Sequence, residues 1–279
     1  EQYANHYQFQ LHLPLLANSV KQIRIDNATC ALNDYRMTID GEVGTPCLSS
    51  GEYSMDLRLA TDDWQIKPLL ALLPTSLTSS LKEIKIDGKA KAEIAVQGVY
   101  NESQMPHVKA RLLYNNGKAR YQPLPYDLHH ITLDATANID LNGIQPANVV
   151  IHTLAAHTKQ SAFTAKGMVH DLLGEKRIDV QMDIDAPLTD WTYFLPDSML
   201  LTGKTKGIVN ATICLDDLMN MHLEKGVFAA DVDLIDIHYA QDSLEVELPI
   251  ANAKLQIPNK SSHKRHAHRS SLSAAVELQ

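Results

Sequence analysis

The sequence predicts an all-β, mainly antiparallel fold: an elongated curled sheet or groove built from two similar repeat units, with one or two short helices. Three observations lead there. Apolar residues recur with period two over long segments, turn residues punctuate those segments, and an ordered set of short motifs occurs twice in the 279 residues.

The period is clearest from Ile84 to Val96. Every even position is apolar or glycine (Ile84, Ile86, Gly88, Ala90, Ala92, Ile94, Val96), whereas the odd positions carry Lys85, Asp87, Lys89, Lys91, Glu93, Ala95 and Gln97. Side chains alternate across a strand, so one face is buried and the other is wet. A single strand of this length spans roughly 45 Å, long for a globular sheet, and Gly88 is the natural place for it to bend. Ile131, Leu133, Ala135, Ala137, Ile139 and Leu141 repeat the pattern, as do Ile178 to Ile184 and Leu244 to Ile250. Turns are expected at Asn115-Asn116-Gly117, at Asn142-Gly143 and around Gly174. One-sided alternation predicts antiparallel hairpins, because strands of a doubly wound parallel sheet are apolar on both faces.

The repeat is anchored by the two tryptophans. Thr61-Asp62-Asp63-Trp64 returns as Leu188-Thr189-Asp190-Trp191, each preceded by an alternating segment and followed by a short Leu/Pro-containing stretch. Ile86-Asp87-Gly88-Lys89-Ala90 then matches Leu201-Thr202-Gly203-Lys204-Thr205. The units are expected to be residues 1–141 and 142–279, or one continuous β structure. After Trp64, the stretch from Ile66 predicts a helix, with Pro68 in its first turn and Pro74 ending it.

Composition narrows the function. Hydrophobic residues make up 44% and charged residues 21%, the balance of a folded chain. The net charge of −8 argues against nucleic acid, which selects a concentrated basic surface. Three cysteines are too few for a disulfide scaffold and lack zinc-site spacing; Cys30 and Cys47 are either bridged in an oxidising compartment or unpaired. No stretch reaches the about 18 consecutive apolar residues of a membrane helix. The chain opens in strand-like sequence, which reads as a segment of a longer protein.

A further set of motifs begins with Trp64-Gln65-Ile66-Lys67-Pro68-Leu69-Leu70 and Ile84-Lys85-Ile86-Asp87-Gly88-Lys89-Ala90. Val96-Gln97-Gly98, Asn116-Gly117-Lys118-Ala119, Leu124-Pro125-Tyr126 and the acidic alternation from Ile131 to Leu141 follow. This order resembles the repeating unit of the AsmA-like family of bacterial envelope proteins. The second copy is looser. The resemblance implies a periplasmic location, an inner-membrane anchor outside this chain, and a β groove with an apolar interior. It also implies phospholipid and envelope proteins as partners, with a role in lipid transport or outer-membrane maintenance.

On this reading Ile84, Ile86, Ile94, Val96, Ile131, Leu133 and Ile139 line an apolar surface that faces lipid, and the small residues between them leave room for acyl chains. The alternative is a β-sandwich scaffold or adhesion module that binds protein or glycan through its loops. No nucleophile elbow, phosphate loop, zinc-protease helix or dinucleotide fingerprint occurs in the sequence, so no catalytic residue, metal ligand or cofactor is expected. Asp231, Asp233, Asp236 and His238 carry cation-binding side chains, but their alternation with apolar residues is that of a solvated strand face. His263, His266 and His268 fall in a polar, nearly terminal segment.

Overall fold

A computed structural model describes residues 9–12, 14–19, 22–32, 35–45, 51–71, 84–121, 125–194, 199–220, 222–241, 244–257 and 273–278. Pro74, Cys47 and the histidines at 263, 266 and 268 lie outside the described residues. The first half contributes β1 (Phe9–His12), β2 (Leu15–Ser19), β3 (Gln22–Leu32), β4 (Tyr35–Gly44), β5 (Tyr53–Thr61) and β6 (Trp64–Gln65). Helix α1 (Ile66–Ala71) follows, then β7 (Ile84–Tyr100), β8 (His107–Tyr121) and β9 (Leu128–Asp140). Beyond Asn142-Gly143 come β10 (Asn148–His157), β11 (Ala162–His170), β12 (Arg177–Pro187), a 3-10 helix (Leu188–Phe194) and β13 (Met199–Cys214). Helix α2 (Leu215–Met219), a second 3-10 turn (Leu223–Lys225), β14 (Val227–Gln241), β15 (Leu244–Ile257) and β16 (Ser273–Leu278) complete the order.

All sixteen strands belong to one antiparallel sheet that curls without closing. From β7 to β16 each strand pairs with its neighbours in sequence. β9 pairs with β10 across Asn142-Gly143, so the sheet continues through the boundary expected between the two units. The hairpins alternate between two margins. One margin carries the β7–β8, β9–β10, β11–β12 and β13–β14 connections; the opposite margin carries β8–β9, β10–β11, β12–β13 and β14–β15.

The strands are long enough to curve. β7 has 17 residues, about 55 Å if straight. Its pairing with β8 slips between Asp87 and Lys89, where Gly88, with φ 131°, lies opposite two residues of β8, Asn116 and Gly117. An added residue in one strand bends it and increases its twist, and the left-handed half of conformational space selects glycine. The glycine at the matching sequence position does the same: β13 slips against β14 between Thr202 and Lys204, where Gly203 at φ 120° lies opposite Asp236 and Ile237. The correspondence seen in sequence is therefore a matching pair of strand bends.

The expected turn at Asn115-Asn116-Gly117 is a correction. These residues stay inside β8 and form the bulge opposite Gly88, with Asn116 at φ 51°. Tyr114 holds it. Its hydroxyl donates to the Asp87 carbonyl at 2.5 Å and accepts from the Lys118 amide at 3.1 Å, which lays the ring over Gly117. A Cβ on Gly117 would sit 1.9 Å from the Tyr114 ring, so only glycine fits there. Asn142-Gly143 and the segment around Gly174 are turns.

Candidate functional site: an apolar trough

Residues directly opposite one another in adjacent antiparallel strands project from the same face of the sheet. The registers therefore join single residues into rows. One row runs Leu59, Ile94, Ala110, Ala137, Val149, Val169, Ile178 and Ile213, from β5 and then β7 through β13. Another runs Ala90, Tyr114, Leu133, Leu154, Ala165, Met182, Val209 and Ala230, from β7 to β14. Val96, Val108 and Ile139 form a third, and Ile84 and Ile86 face Tyr121 and Ala119. The seven residues singled out from the sequence thus share one face, which forms the inside of a trough.

Coverage of that face is uneven. Beneath α1, Ile66, Ala90, Tyr114, Ile131 and Ala156 form a buried cluster, with Ile86 and Leu133 packed against it. Ile94, Val96 and Ile139 lie outside the cluster and are only half-buried. Except for Ile213, every residue of the Leu59-to-Ile213 row is half-buried too. Among the described residues no large side chain is fully enclosed; the most deeply buried apolar residues are alanines such as Ala28, Ala90 and Ala186. A sealed partner layer excludes water from the bulky side chains of an apolar face, whereas the described side chains of this row keep part of their surface in water.

Local chemistry fixes the covering elements. Trp64 donates its indole N–H to the Arg36 carbonyl at 2.8 Å and meets Tyr35 edge-on, which sets where α1 starts. Before Trp191, Asp190 plays the anchoring part. Its carboxylate accepts from Ser161 and from Thr158, tying the 3-10 helix after β12 to the β10–β11 turn. Burial and the nearby charge of Asp190 raise the Tyr126 hydroxyl above the usual phenol range. A further tie crosses the trough itself: the Tyr121 hydroxyl, at the margin end of β8, donates to the carbonyl of Met219 in α2, on the opposite margin.

The other face is polar and self-paired. Arg111 on β8 grips Asp134 on β9 with two hydrogen bonds of 3.0 and 2.8 Å, which holds the Asp134 carboxyl below its ordinary range. Partial burial pushes Asp179 upward, but a hydrogen bond from Thr212 and the charges of Arg177 and His170 outweigh it and leave a net lowering. A shallow depression of about 430 Å³ opens on this face among Lys166, Asp179, Gln181, Asn210 and Thr212, away from the trough.

The Asp231–His238 segment lies on β14. Asp231 and Asp233 are exposed and accept from Asn252, while Asp236 sits at a bulge with φ 52°. His238 instead approaches Glu245 at 3.5 Å and Glu247 at 3.4 Å on β15, a trio that the β14–β15 register assembles. The spacing within β14 alone does not reveal those partners. Both glutamates are open to solvent, where imidazole–carboxylate contacts are ordinary surface ion pairs.

No protein-family model matches the chain, and no curated protein or solved structure matches it significantly.

Proposed function

We propose that this chain is a non-catalytic segment of an envelope protein that holds lipid along its apolar trough, in the manner implied by its resemblance to the AsmA-like family. The observation that carries the reading is the half-buried row from Leu59 to Ile178, which crosses seven successive strands of the pairing order and on which, among the described residues, no second sheet packs. Aliphatic surface left partly wet gains by contact with an acyl chain, at about 0.8 kcal/mol per methylene buried. A phospholipid meets this geometry with its chains against the row and its head group in water. The proposed setting is the periplasm, with an anchor in a segment outside this chain and with phospholipid and other envelope proteins as partners.

A scaffold reading has one observation in its favour. Helix α1 and the Tyr121–Met219 bond already cover part of the trough, and further protein closure would leave less room for lipid. Native mass spectrometry before and after organic extraction separates the two. Lipid readings require phospholipid masses that leave on extraction and return on incubation with vesicles; a purified protein with neither bound lipid nor uptake is a scaffold.

A further inference from the structure

The margin that carries the β7–β8, β9–β10, β11–β12 and β13–β14 connections has a feature the trough does not explain. Each of these four connections exposes an aliphatic side chain: Met105 at 43%, Ile144 at 83%, Leu173 at 52% and Leu223 at 37% of its full surface. Hairpins on one margin are two strands apart, so the tips stand roughly 10 Å from one another. Just below them Tyr53 and Tyr100, both 42% exposed, form a cross-strand pair at the same margin.

The tips are held, not loose. Asn142 bridges the first two connections by accepting from the Met105 amide at 2.6 Å and donating to the Met105 carbonyl at 2.9 Å. The Leu172 amide donates to the Ala147 carbonyl at 2.7 Å, joining the second connection to the third. The Leu215 amide donates to the Lys176 carbonyl at 2.9 Å, and Lys176 pairs with Asp216, joining the third to the fourth. A stitched rim keeps its aliphatic tips presented to solvent without further ordering, which is the condition for binding at low entropic cost.

We infer that this rim docks on the surface of a zwitterionic lipid bilayer, with the four aliphatic tips inserted at the head-group boundary and the tyrosine pair beside them. Protein interfaces need a contiguous apolar centre that excludes water, and single side chains separated by polar loop backbone do not make one. Fluid lipid closes around each tip separately, and amphipathic aromatic rings favour the level of the head groups. Carboxylates outnumber ammonium groups on these connections, so the bilayer that fits is zwitterionic rather than anionic. Docking by the rim does not require the trough to carry lipid.

Flotation of the full chain with phosphatidylcholine vesicles tests this. The wild type co-floats, Ile144→Asp/Leu173→Asp lowers the floated fraction at least tenfold, and Ile208→Asp on the polar face leaves it unchanged. Ile94→Asp in the trough also leaves it unchanged, which separates rim docking from lipid uptake. Ile144→Ser, at the most exposed tip, gives an intermediate loss in a chain whose melt matches the wild type. The inference is overturned if the wild type does not float, if the rim variants float like it, if Ile94→Asp abolishes flotation, or if the rim proves to join copies of the chain in solution without binding vesicles.

Discussion

The hydroxyl of Tyr121 donates to the main-chain carbonyl of Met219, 98 residues further along the chain. Tyr121 ends β8 at one margin of the sheet, and Met219 belongs to the connection at the other margin, beyond β13. A flat sheet would hold these groups far apart, so the bond records how tightly the trough is folded. Replacing Tyr121 with Phe removes the bond and leaves the ring. The expected loss is about 1 kcal/mol, together with faster amide exchange over residues 215–225. Exchange rates equal to the wild type's in that segment would show that the bond does not hold it.

Gly117→Ala sets a methyl group against the Tyr114 ring and is expected to cost about 2–4 kcal/mol, because the ring is pinned by its hydroxyl on both sides. Tyr114→Phe costs less alone, about 1–3 kcal/mol from the unpaired Asp87 carbonyl and Lys118 amide. Urea denaturation of both variants and of the double variant measures the coupling. Strict additivity would mean that the two residues act separately.

Within the trough, Ile94→Asp and Leu133→Asp are expected to differ. Leu133 packs against the cluster beneath α1, where an unpaired carboxylate is desolvated, so this variant should melt far below the wild type or fail to fold. Ile94 is half-buried outside that cluster, and its variant should keep most of its stability while losing bound phospholipid. Equal collapse of both in thermal melts would mean that the trough is sealed along its whole length.

The course of stability with pH follows from the lowered carboxyls. Asp134 is held down first by hydrogen bonds from Arg111, and Asp140 by those from Asn142. A carboxyl whose folded value lies below its unfolded one binds fewer protons when folded. Its contribution is thus fully present above about pH 4 and is lost as pH falls through the lowered value. Melting temperatures taken from pH 6 down to pH 2 should drop less steeply below pH 4 in Asp134→Asn/Asp140→Asn than in the wild type. Parallel curves would remove these two groups from the acid transition.

Much of the fold was legible because it depends on parity. Once Ile84 to Val96 and Ile131 to Leu141 alternate, antiparallel pairing has to put their apolar sets on the same side, and the registers do so. The bend at Gly88 was legible for a related reason, since a glycine inside a long alternating run has little else to do. The same chemistry misled at Asn115-Asn116-Gly117. Turns and bulges both select residues that tolerate positive φ, and only Tyr114, reaching back over Gly117, decides between them. The site was legible as a face but not as a space. Neither the place of Ile66 in the buried cluster nor the bond between Tyr121 and Met219 follows from local spacing, because each depends on how far the sheet curls. The contacts of His238 are hidden for a similar reason: its neighbours Glu245 and Glu247 are supplied by the next strand.

The pairing order from β7 to β16 makes every strand the template for the one that follows it in sequence. Such a sheet behaves as a one-dimensional lattice, with stability accumulating from nearest-neighbour terms. It can zip from an early hairpin toward a later one without waiting for a distant segment to arrive. Lengthening or shortening it by a hairpin requires no rewiring, and for a trough the number of hairpins is a ruler.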